Sequence, residues 1–157
     1  MSELLEKARS YEAKKIAATD KESKPLFHIS APAGWINDPN GFSVYNGKIH
    51  LFYQYYPYLR EWGPMHWGHS TTSDMIKWEQ LPCVLAPDEE YDKKGCFSGS
   101  AIEADGKHVL VYTGVTRIKL PDGSEQERQN QCIAFGDGLN YVKHENCLLY
   151  TSPSPRD

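Results

Sequence analysis

The chain has 157 residues, of which 39% are hydrophobic and 24% charged, and its 17 Lys and Arg against 21 Asp and Glu give a net charge of -4. This length supports one domain with a real core. Because no basic stripe is present, neither nucleic acid nor an anionic membrane surface is expected as a partner. No apolar run reaches the length of a signal-peptide core or a membrane span, so the cytosol is the expected compartment.

The cysteines show no Cys-x-x-Cys pair and no metal-ligand spacing with histidine. This pattern predicts scattered reduced thiols, without a zinc site or a disulfide framework, and no metal or other cofactor is expected. The residues concerned are Cys83, Cys96, Cys132 and Cys147.

Residues 1–24 are predicted to form a short helix and a charged linker. From Ser2 to about Ala18 the chain is a helix-forming mixture of Ala, Glu, Lys, Leu and Arg. An apolar face indicates a helix packed against its own domain, with a partner-docking segment as the alternative. The residues of that face are Leu4, Leu5, Ala8, Tyr11 and Ile16.

Pro25 opens the folded body, predicted to span residues 25–146, and the stretch from Trp35 to Gly41 organises it. Asp-Pro-Asn-Gly is strong turn chemistry, because Pro39 fixes φ, Asn40 tolerates left-handed conformations and Gly41 has no side chain. The sequence therefore predicts a tight turn that holds the Asp38 carboxylate on a stiff frame. Such a frame suits a catalytic nucleophile, and an ordinary Asx turn between strands is the alternative.

Short β runs follow and repeat. The hairpin signal Asn46-Gly47 precedes one strand, and Asp105-Gly106 precedes a similar strand about 60 residues later. A second recurrence places Asp74 and Asp137 at outer turns, each with an aromatic residue four positions on. A unit of this length built from β hairpins is typical of a propeller blade, so two blades are predicted.

Four segments together resemble the invertase family of fructoside hydrolases, glycoside hydrolase family 32. They occur in family order and are Trp35 to Gly41, Phe52 to Tyr55, Trp62 to His69, and Phe97 to Ser100. The resemblance implies an all-β fold: a five-bladed β-propeller followed by a β-sandwich. This chain would supply the front part of the propeller, about two blades, after its short helix, and the C-terminal sandwich would be absent.

The resemblance also implies roles in retaining cleavage of β-fructofuranosides such as sucrose, sucrose 6-phosphate or short fructans. Asp38 would be the nucleophile that forms a fructosyl-enzyme intermediate. For two of the implied site residues an alternative remains: Gln54 could be a solvent-facing strand residue, and Phe97 could pack between blades. Trp67 fits a core position as well as a pocket position. His66 and His69 are expected to form hydrogen bonds near the pocket floor. The residues implied to bind the sugar are Trp35, Asn37, Gln54, Trp62, Phe97 and Ser98.

The second carboxylates of the family are not identifiable in this sequence. In the family, the general acid is a glutamate in a Glu-Cys motif, and the residue that stabilises the transition state is an aspartate in an Arg-Asp-Pro motif. Arg156-Asp157 does not qualify as the second motif, because no hydrophobic strand precedes it. The chain alone is therefore expected to be inactive. A noncatalytic carbohydrate-binding propeller and a fructosyltransferase are the alternative functions, and the oligomeric state is left open.

Two segments are expected to carry no chemistry. The acidic loop of Asp88, Glu89, Glu90 and Asp92 lacks regular calcium-ligand spacing and is predicted to be solvated. Residues 147–157 depart from the strand pattern and match the translation of a transposase sequencing adapter. We therefore expect the native sequence in this chain to end near Asn146.

Overall fold

The computed structural model describes residues 1–20, 24–25 and 27–147, and the backbone of residues 149–150. A single helix precedes antiparallel strands in two sheets, with the order β1-β2-β3-β4 in the first and β5-β6-β7-β8 in the second, where β9 also pairs with β7. This arrangement confirms the all-β prediction and its two blades. The elements are α1 (Glu3–Ala18), β1 (Trp35–Tyr45), β2 (Lys48–Tyr56), β3 (His66–Thr72), β4 (Glu79–Leu85), β5 (Gly95–Ala104), β6 (Lys107–Lys119), β7 (Glu125–Gly136), β8 (Tyr141–Lys143) and β9 (Leu149–Tyr150).

The first hairpin of each blade closes on a two-residue turn with positive φ at both positions. The φ values are 48° and 71° at Asn46 and Gly47, and 49° and 70° at Asp105 and Gly106. Turns of this kind match the right-handed twist of the flanking strands. Both predicted hairpins are confirmed.

The recurring aspartates organise the outer turns of the two blades. Asp74 accepts hydrogen bonds from the N–H groups of Ile76 and Lys77 at 2.9 and 2.8 Å. Asp137 accepts from the N–H groups of Leu139 and Asn140 at 2.9 and 2.7 Å. Because these backbone bonds stabilise the charged carboxylates, they lower the pKa of both aspartates. The predicted position of this pair at outer turns is confirmed.

Helix α1 packs on its own domain, as predicted, but on a rotated face. Ser2 caps the helix by accepting a hydrogen bond from the Leu5 N–H. Leu5, Ala8 and Glu12 are buried. Leu4 and Ile16, which the pattern placed on the packing face, are 42% and 40% exposed. The difference arises because Glu12 enters the buried face, where its carboxylate accepts a hydrogen bond from the Cys83 N–H on β4 at 2.7 Å.

Arg9 of the helix donates hydrogen bonds to both blades. Its Nε donates to the Cys83 carbonyl in the first blade at 2.7 Å, and its Nη1 donates to Asn140 Oδ1 beside the second at 2.9 Å. The helix therefore lies across the seam between the sheets. No helix in the described part of the chain is long and apolar enough to cross a membrane.

The main core lies between the two sheets, and Trp67 is at its centre. Its side chain is fully buried, and its Nε1 donates to the Phe97 carbonyl at 3.2 Å. Trp67 is thus a core residue. Other members of this core are Phe52, Val84, Leu85, Cys96, Leu110, Tyr112, Cys132 and Ala134.

The acidic loop is only partly solvated. Glu89 and Glu90 are exposed, but Asp92 is fully buried, and Lys143 Nζ lies 2.5 Å from both Asp92 Oδ2 and Asp88 Oδ1. The prediction of a solvated loop is therefore wrong for Asp88 and Asp92. A buried lysine from β8 provides the counter-charge, and nothing in the sequence marked that pairing.

Part of the segment expected to be non-native has a described backbone. Leu149–Tyr150 pairs with Asn130 and Gln131 of β7, and Cys147 is buried with its Sγ 3.2 Å from Cys132 Sγ. Residues 148 and 151–157, including Arg156-Asp157, lie outside the described residues. The non-native origin of residues 147–157 stays a prediction.

Candidate active site

The stretch from Trp35 to Gly41 forms the start of strand β1 and not a tight turn, so the predicted turn is wrong. β1 is an edge strand in this chain, where Pro39 costs no ladder hydrogen bond on its outer side. Two irregularities in the pairing with β2 accommodate the turn-forming residues, and Gly41 at the second of them has a φ of 53°. The local chemistry bends the strand without reversing it.

Asp38 lies in the first of these irregularities. Ile36 pairs with Tyr55 and Pro39 with Tyr53, so Asn37 and Asp38 together oppose the single residue Gln54. Two residues against one is the arrangement of a β-bulge, which re-aims side chains and is common beside active sites. The bulge presents the Asp38 side chain to solvent.

Strand β5 has a matching irregularity at Ser98. Phe97 pairs with Thr113 and Gly99 with Tyr112, which leaves Ser98 as the extra residue. Ser98 Oγ donates a hydrogen bond to Asp38 Oδ2 at 3.1 Å. The structure therefore brings together two predicted site residues that are 60 positions apart.

Trp35 fixes the orientation of Asn37 within the same bulge. Its indole Nε1 donates to Asn37 Oδ1 at 2.8 Å. That bond uses one of the two acceptor sites of the amide oxygen, and the amide N–H groups of Asn37 have no acceptor in the described part of the chain, so they are available to a ligand.

Gln54 is buried, with 3% of its surface exposed, so the solvent-facing alternative for this residue is wrong. Its Nε2 donates to the Cys96 carbonyl at 3.0 Å. This bond joins the middle of β2 to the start of β5, one residue before Phe97. Gln54 thus lies across the strand pair from Asp38 and next to the β5 segment that carries Ser98.

Trp62 and Phe97 form an aromatic pair at the same end of the sheets. Their ring centroids are 6.1 Å apart with an interplanar angle of 86°, and Trp62 is 55% exposed. Exposed aromatic faces suit the apolar C–H surfaces of sugars. Phe97 contacts Trp62 from the neighbouring blade, so its packing and ligand-facing roles are compatible.

Asn40 is a site-supporting residue that the sequence interpretation treated only as a turn former. It is 3% exposed, and its Oδ1 accepts a hydrogen bond from the Gly99 N–H at 3.4 Å. Asn40 follows Asp38 by two positions, and Gly99 follows Ser98, so this bond runs beside the Ser98–Asp38 bond and joins the two bulges. The sequence feature that could have identified Asn40 as a site residue was its position inside the stretch from Trp35 to Gly41.

His66 and His69 make hydrogen bonds, as predicted, but both are buried. His66 Nδ1 contacts the Pro64 carbonyl at 2.8 Å, and His69 Nε2 contacts His50 Nδ1 at 2.9 Å. Burial lowers the pKa of His66 to about 4 and holds that of His69 well below its ordinary value. Within the described part of the chain, no three His, Cys, Asp or Glu side chains are grouped so as to hold a metal ion.

This arrangement contains one of the two carboxyl groups that a retaining displacement reaction would need. An exposed carboxylate is held at a bulge and hydrogen-bonded by a hydroxyl, beside amide groups and an aromatic wall. A retaining glycosidase needs a second carboxyl about 5 to 5.5 Å from the first. The hydrogen-bond partner that the described structure gives to Asp38 is Ser98.

The chain is similar in sequence to curated enzymes that are much longer than it is. It is 44% identical over 133 residues to a sucrose-6-phosphate hydrolase of Zymomonas mobilis subsp. mobilis, covering 84% of this chain and 26% of that protein. A sucrose-6-phosphate hydrolase of Escherichia coli is 48% identical over 120 residues, covering 76% of this chain and 25% of that protein. The chain spans about a quarter of the length of these curated relatives.

Solved structures give the same relationship. A Bombyx mori GH32 beta-fructofuranosidase superposes with a TM-score of 0.81 at 43% identity, covering 95% of this chain and 31% of that chain. A mutant of that enzyme in complex with sucrose matches equally well. The alignment thus includes both blades and extends beyond them.

The family model described as "Glycosyl hydrolases family 32 N-terminal domain" matches residues 28–157, which include every residue of the site described above. That match, the Asp38 bulge and the similarity to beta-fructofuranosidases agree. The chain belongs to the glycosyl hydrolase family 32 N-terminal domain family.

Proposed function

We propose that this chain is part of a β-fructofuranosidase that cleaves its substrate with retention through a fructosyl-enzyme intermediate, and that Asp38 is the nucleophile. The observation that carries the proposal is the position of Asp38, an exposed carboxylate on a β-bulge with a hydrogen bond from Ser98 across the seam between two blades. Rigid placement of this kind favours attack from one direction.

In the proposed reaction, a carboxylate oxygen of Asp38 forms an ester bond to the anomeric carbon of the fructosyl unit. The bond from that carbon to the leaving-group oxygen breaks, and the oxygen takes a proton from a general acid. Water then hydrolyses the ester and regenerates the carboxylate. The general acid would lie in the part of the protein beyond these 157 residues, so the chain by itself should not turn over substrate.

The neighbouring side chains have proposed binding roles. The free N–H groups of Asn37 and the amide of Gln54 would bind fructosyl hydroxyls beside Asp38, and Trp62 with Phe97 would cover an apolar face of the sugar. Ser98 would hold the carboxylate in the free enzyme. Trp35 would bind substrate at the pocket wall while it fixes Asn37.

Sucrose, sucrose 6-phosphate or a short fructan would be the substrate. The relatives support this class, since two are sucrose-6-phosphate hydrolases and one solved structure is a complex with sucrose. We also propose a cytosolic location. It is supported by Cys83, Cys96 and Cys132, the cysteines of the segment expected to be native, which are buried free thiols.

The test is to recover the complete gene, reading through the junction after Asn146, and to assay its product for fructose release from sucrose and from sucrose 6-phosphate. An Asp38→Asn variant is compared with Asp105→Asn, a control at the exposed hairpin turn of the second blade, where asparagine suits the positive φ. Fructose release that Asp38→Asn abolishes and Asp105→Asn retains is the expected result.

Other outcomes would replace the proposal. Sugar binding without release of fructose would establish a carbohydrate-binding module, and transfer of fructose to a second sugar in preference to water would establish a fructosyltransferase. The same gene sequence tests the proposed domain limits. A continuation that retains residues 147–157 would show that this segment is native.

A further inference from the structure

A cluster of three buried histidines lies between the two sheets, apart from the proposed sugar site. His50 on β2, His69 on β3 and His108 on β6 are 4%, 0% and 0% exposed. Phe52 stacks on His69 with ring centroids 4.3 Å apart, and Tyr45 stacks on His108 at 4.7 Å. The proposed reaction uses none of these imidazoles.

The hydrogen bonds of His108 define which of its ring nitrogens carries the proton. The Ser43 hydroxyl donates to the Gly41 carbonyl at 2.9 Å, so its oxygen must accept from His108 Nε2–H, also at 2.9 Å. A neutral imidazole has one N–H, and His108 Nδ1 is therefore the acceptor for the Tyr141 hydroxyl at 2.7 Å. One directed relay runs from Tyr141 on β8 to the carbonyl of Gly41 on β1.

The other two histidines form a second directed relay. His50 Nε2 lies 3.3 Å from the Tyr45 carbonyl, which can only accept, so Nε2 carries the proton and Nδ1 is bare. His69 Nε2–H then donates to His50 Nδ1 at 2.9 Å. His69 Nδ1 is buried and has no hydrogen-bond partner among the residues that the structure describes. This relay ends on the carbonyl of Tyr45, again on β1.

We propose that His50 and His108 are positioning residues for strand β1, and with it the Asp38 bulge: His108 holds β1 against the second blade, His50 holds it against β2 and β3 of the first blade, and both do so only as neutral imidazoles. Both relays end on β1, at Gly41 and Tyr45, and Gly41 lies three positions after Asp38. The proposed role of the histidines in positioning β1 depends only on these contacts. The consequence for catalysis rests on the proposed function.

Protonation disturbs this geometry at all three rings, and at His108 a proton on Nδ1 would remove the acceptor of the Tyr141 hydroxyl. A proton on His50 Nδ1 would face the N–H of His69, and a proton on His69 Nδ1 would enter a buried place without an acceptor. The cluster is sealed by Gly138, where a Cβ would lie 3.1 Å from the Tyr45 ring and 3.4 Å from His50. The imidazoles therefore cannot gain a proton without opening of the seam.

The charged groups around the cluster do not make protonation of the imidazoles more favourable. Lys48 on β2 acts on His50, and Arg9 on α1 acts on His69, and both cations oppose protonation. The carboxylate of Asp137 acts electrostatically on Tyr141, the hydrogen-bond partner of His108. Burial is the largest cause of the lowered pKa of all three histidines, and it takes that of His108 to about 4.

The direction of the pH effect follows from these positions. His108 has its ordinary pKa near 6.5 when β1 is open and a pKa of about 4 when β1 is closed, so its open state binds more protons between these two values. The pKa values of His50 and His69 are also lower in the closed state. Stability of the closed state is complete above pH 6.5 and is lost as pH falls. Each proton taken up on opening changes the opening equilibrium by about tenfold per pH unit.

The test measures hydrogen exchange by mass spectrometry in the full-length protein, comparing peptides from β1 with peptides from β7 and correcting for intrinsic exchange. His108→Gln keeps a donor and an acceptor but cannot titrate. His108→Leu removes both groups, and Ser43→Ala interrupts the same relay without changing a histidine. His66→Gln is the matched control, because His66 is equally buried but bonds to Pro64, outside the cluster.

We expect the opening equilibrium of β1 to rise at least tenfold between pH 6 and pH 5 in the unmodified protein, and by about tenfold less in His108→Gln. His108→Leu and Ser43→Ala should accelerate exchange of β1 about tenfold at pH 7, with β7 unchanged. His66→Gln should leave β1 as in the unmodified protein.

Three results would overturn the inference: pH-independent opening of β1, an effect of His66→Gln equal to that of His108→Gln, or unchanged β1 exchange in both His108→Leu and Ser43→Ala. None of these readouts needs fructose release. A protein that fails the fructose assay can therefore still support this inference, and an active enzyme can still contradict it.

Discussion

Ser98 donates a hydrogen bond to Asp38, and each of the two residues lies at an irregularity in the first strand of its blade. An extra residue in a strand turns a side chain out of the regular alternation. Here both side chains turn toward each other across the seam between the blades. The repeat that builds the propeller thus also places the two ends of this hydrogen bond.

If the full-length protein has the proposed fructose-release activity, replacement of Ser98 by alanine should lower that activity without unfolding the protein. Ser98 is exposed, so the lost hydrogen bond to a carboxylate should cost about 1 kcal/mol, equivalent to a five- to tenfold fall in kcat/KM. Ser100→Ala, at another exposed serine of β5, is the control and should change kcat/KM less than twofold. Equal activity of both variants would remove Ser98 from the proposed site.

Replacement of Gly41 by alanine should destabilise the protein by about 2–4 kcal/mol. Its φ of 53° is unfavourable for a side chain, and an added Cβ would lie 2.7 Å from Phe52 Cδ2 and 3.1 Å from Ala101 Cβ. Gly47→Ala is the matched control, because Gly47 has a φ of 71° but nothing within 4 Å of an added Cβ. That control should cost about 1 kcal/mol. Denaturant unfolding measures both, and equal losses would show that packing at Gly41 is unimportant.

Much of the fold could be predicted because its signals are local. Two-residue turns such as Asn46-Gly47 require positive φ, and the structure gives both hairpins that requirement. The aspartates of the outer turns bond to backbone only two and three residues away. Such features depend on nearest neighbours in sequence, and a sequence displays those neighbours directly.

The failures involve partners that are distant in sequence. Asp92, in the loop before β5, is buried with Lys143 of β8 as its counter-charge, and the buried Glu12 accepts a hydrogen bond from the Cys83 N–H. The turn chemistry of Asp-Pro-Asn-Gly predicts a turn around Asp38, but the pairing with β2 converts this stretch into a bulge. The site residues were identified through family resemblance, and their contacts required the sheet register.

Replacement of Glu12 by glutamine should stabilise the protein at alkaline pH and not at acidic pH. Burial raises the pKa of Glu12 to about 7, and the bond from the Cys83 N–H opposes that rise only in part. The folded state therefore holds a proton that the unfolded state releases near pH 4.5, so this contribution to stability is lost as pH rises from 4.5 to 7. Glutamine keeps the acceptor for Cys83 without titrating.

We expect Glu12→Gln to unfold like the parent at pH 5 and to be more stable by about 1–3 kcal/mol at pH 8, measured by denaturant unfolding. Glu6→Gln, at an exposed position of the same helix, should change stability by less than about 0.5 kcal/mol at either pH. A Glu12→Gln variant that gains equally at pH 5 and pH 8 would show that its carboxyl does not titrate on docking of the helix.

Replacement of Lys143 by methionine should be among the most damaging single changes in the second blade. Burial alone would lower the pKa of Lys143, but Cys96, Asp92 and Asp88 outweigh that effect and raise it, so the ammonium is held charged. Its removal leaves Asp92 fully buried without a cation. Loss of one partner from a buried pair costs about 3–5 kcal/mol.

The control is Lys48→Met, which breaks the exposed pair with Glu79 at 2.9 Å and should cost less than about 1 kcal/mol. A double variant, Lys143→Met with Asp92→Asn, should recover part of the loss, because the neutral amide no longer needs a counter-charge in the core. Denaturant unfolding at pH 7 compares the three. If the double variant is no more stable than Lys143→Met alone, the cost arises from lost packing of the lysine side chain and not from an uncompensated carboxylate.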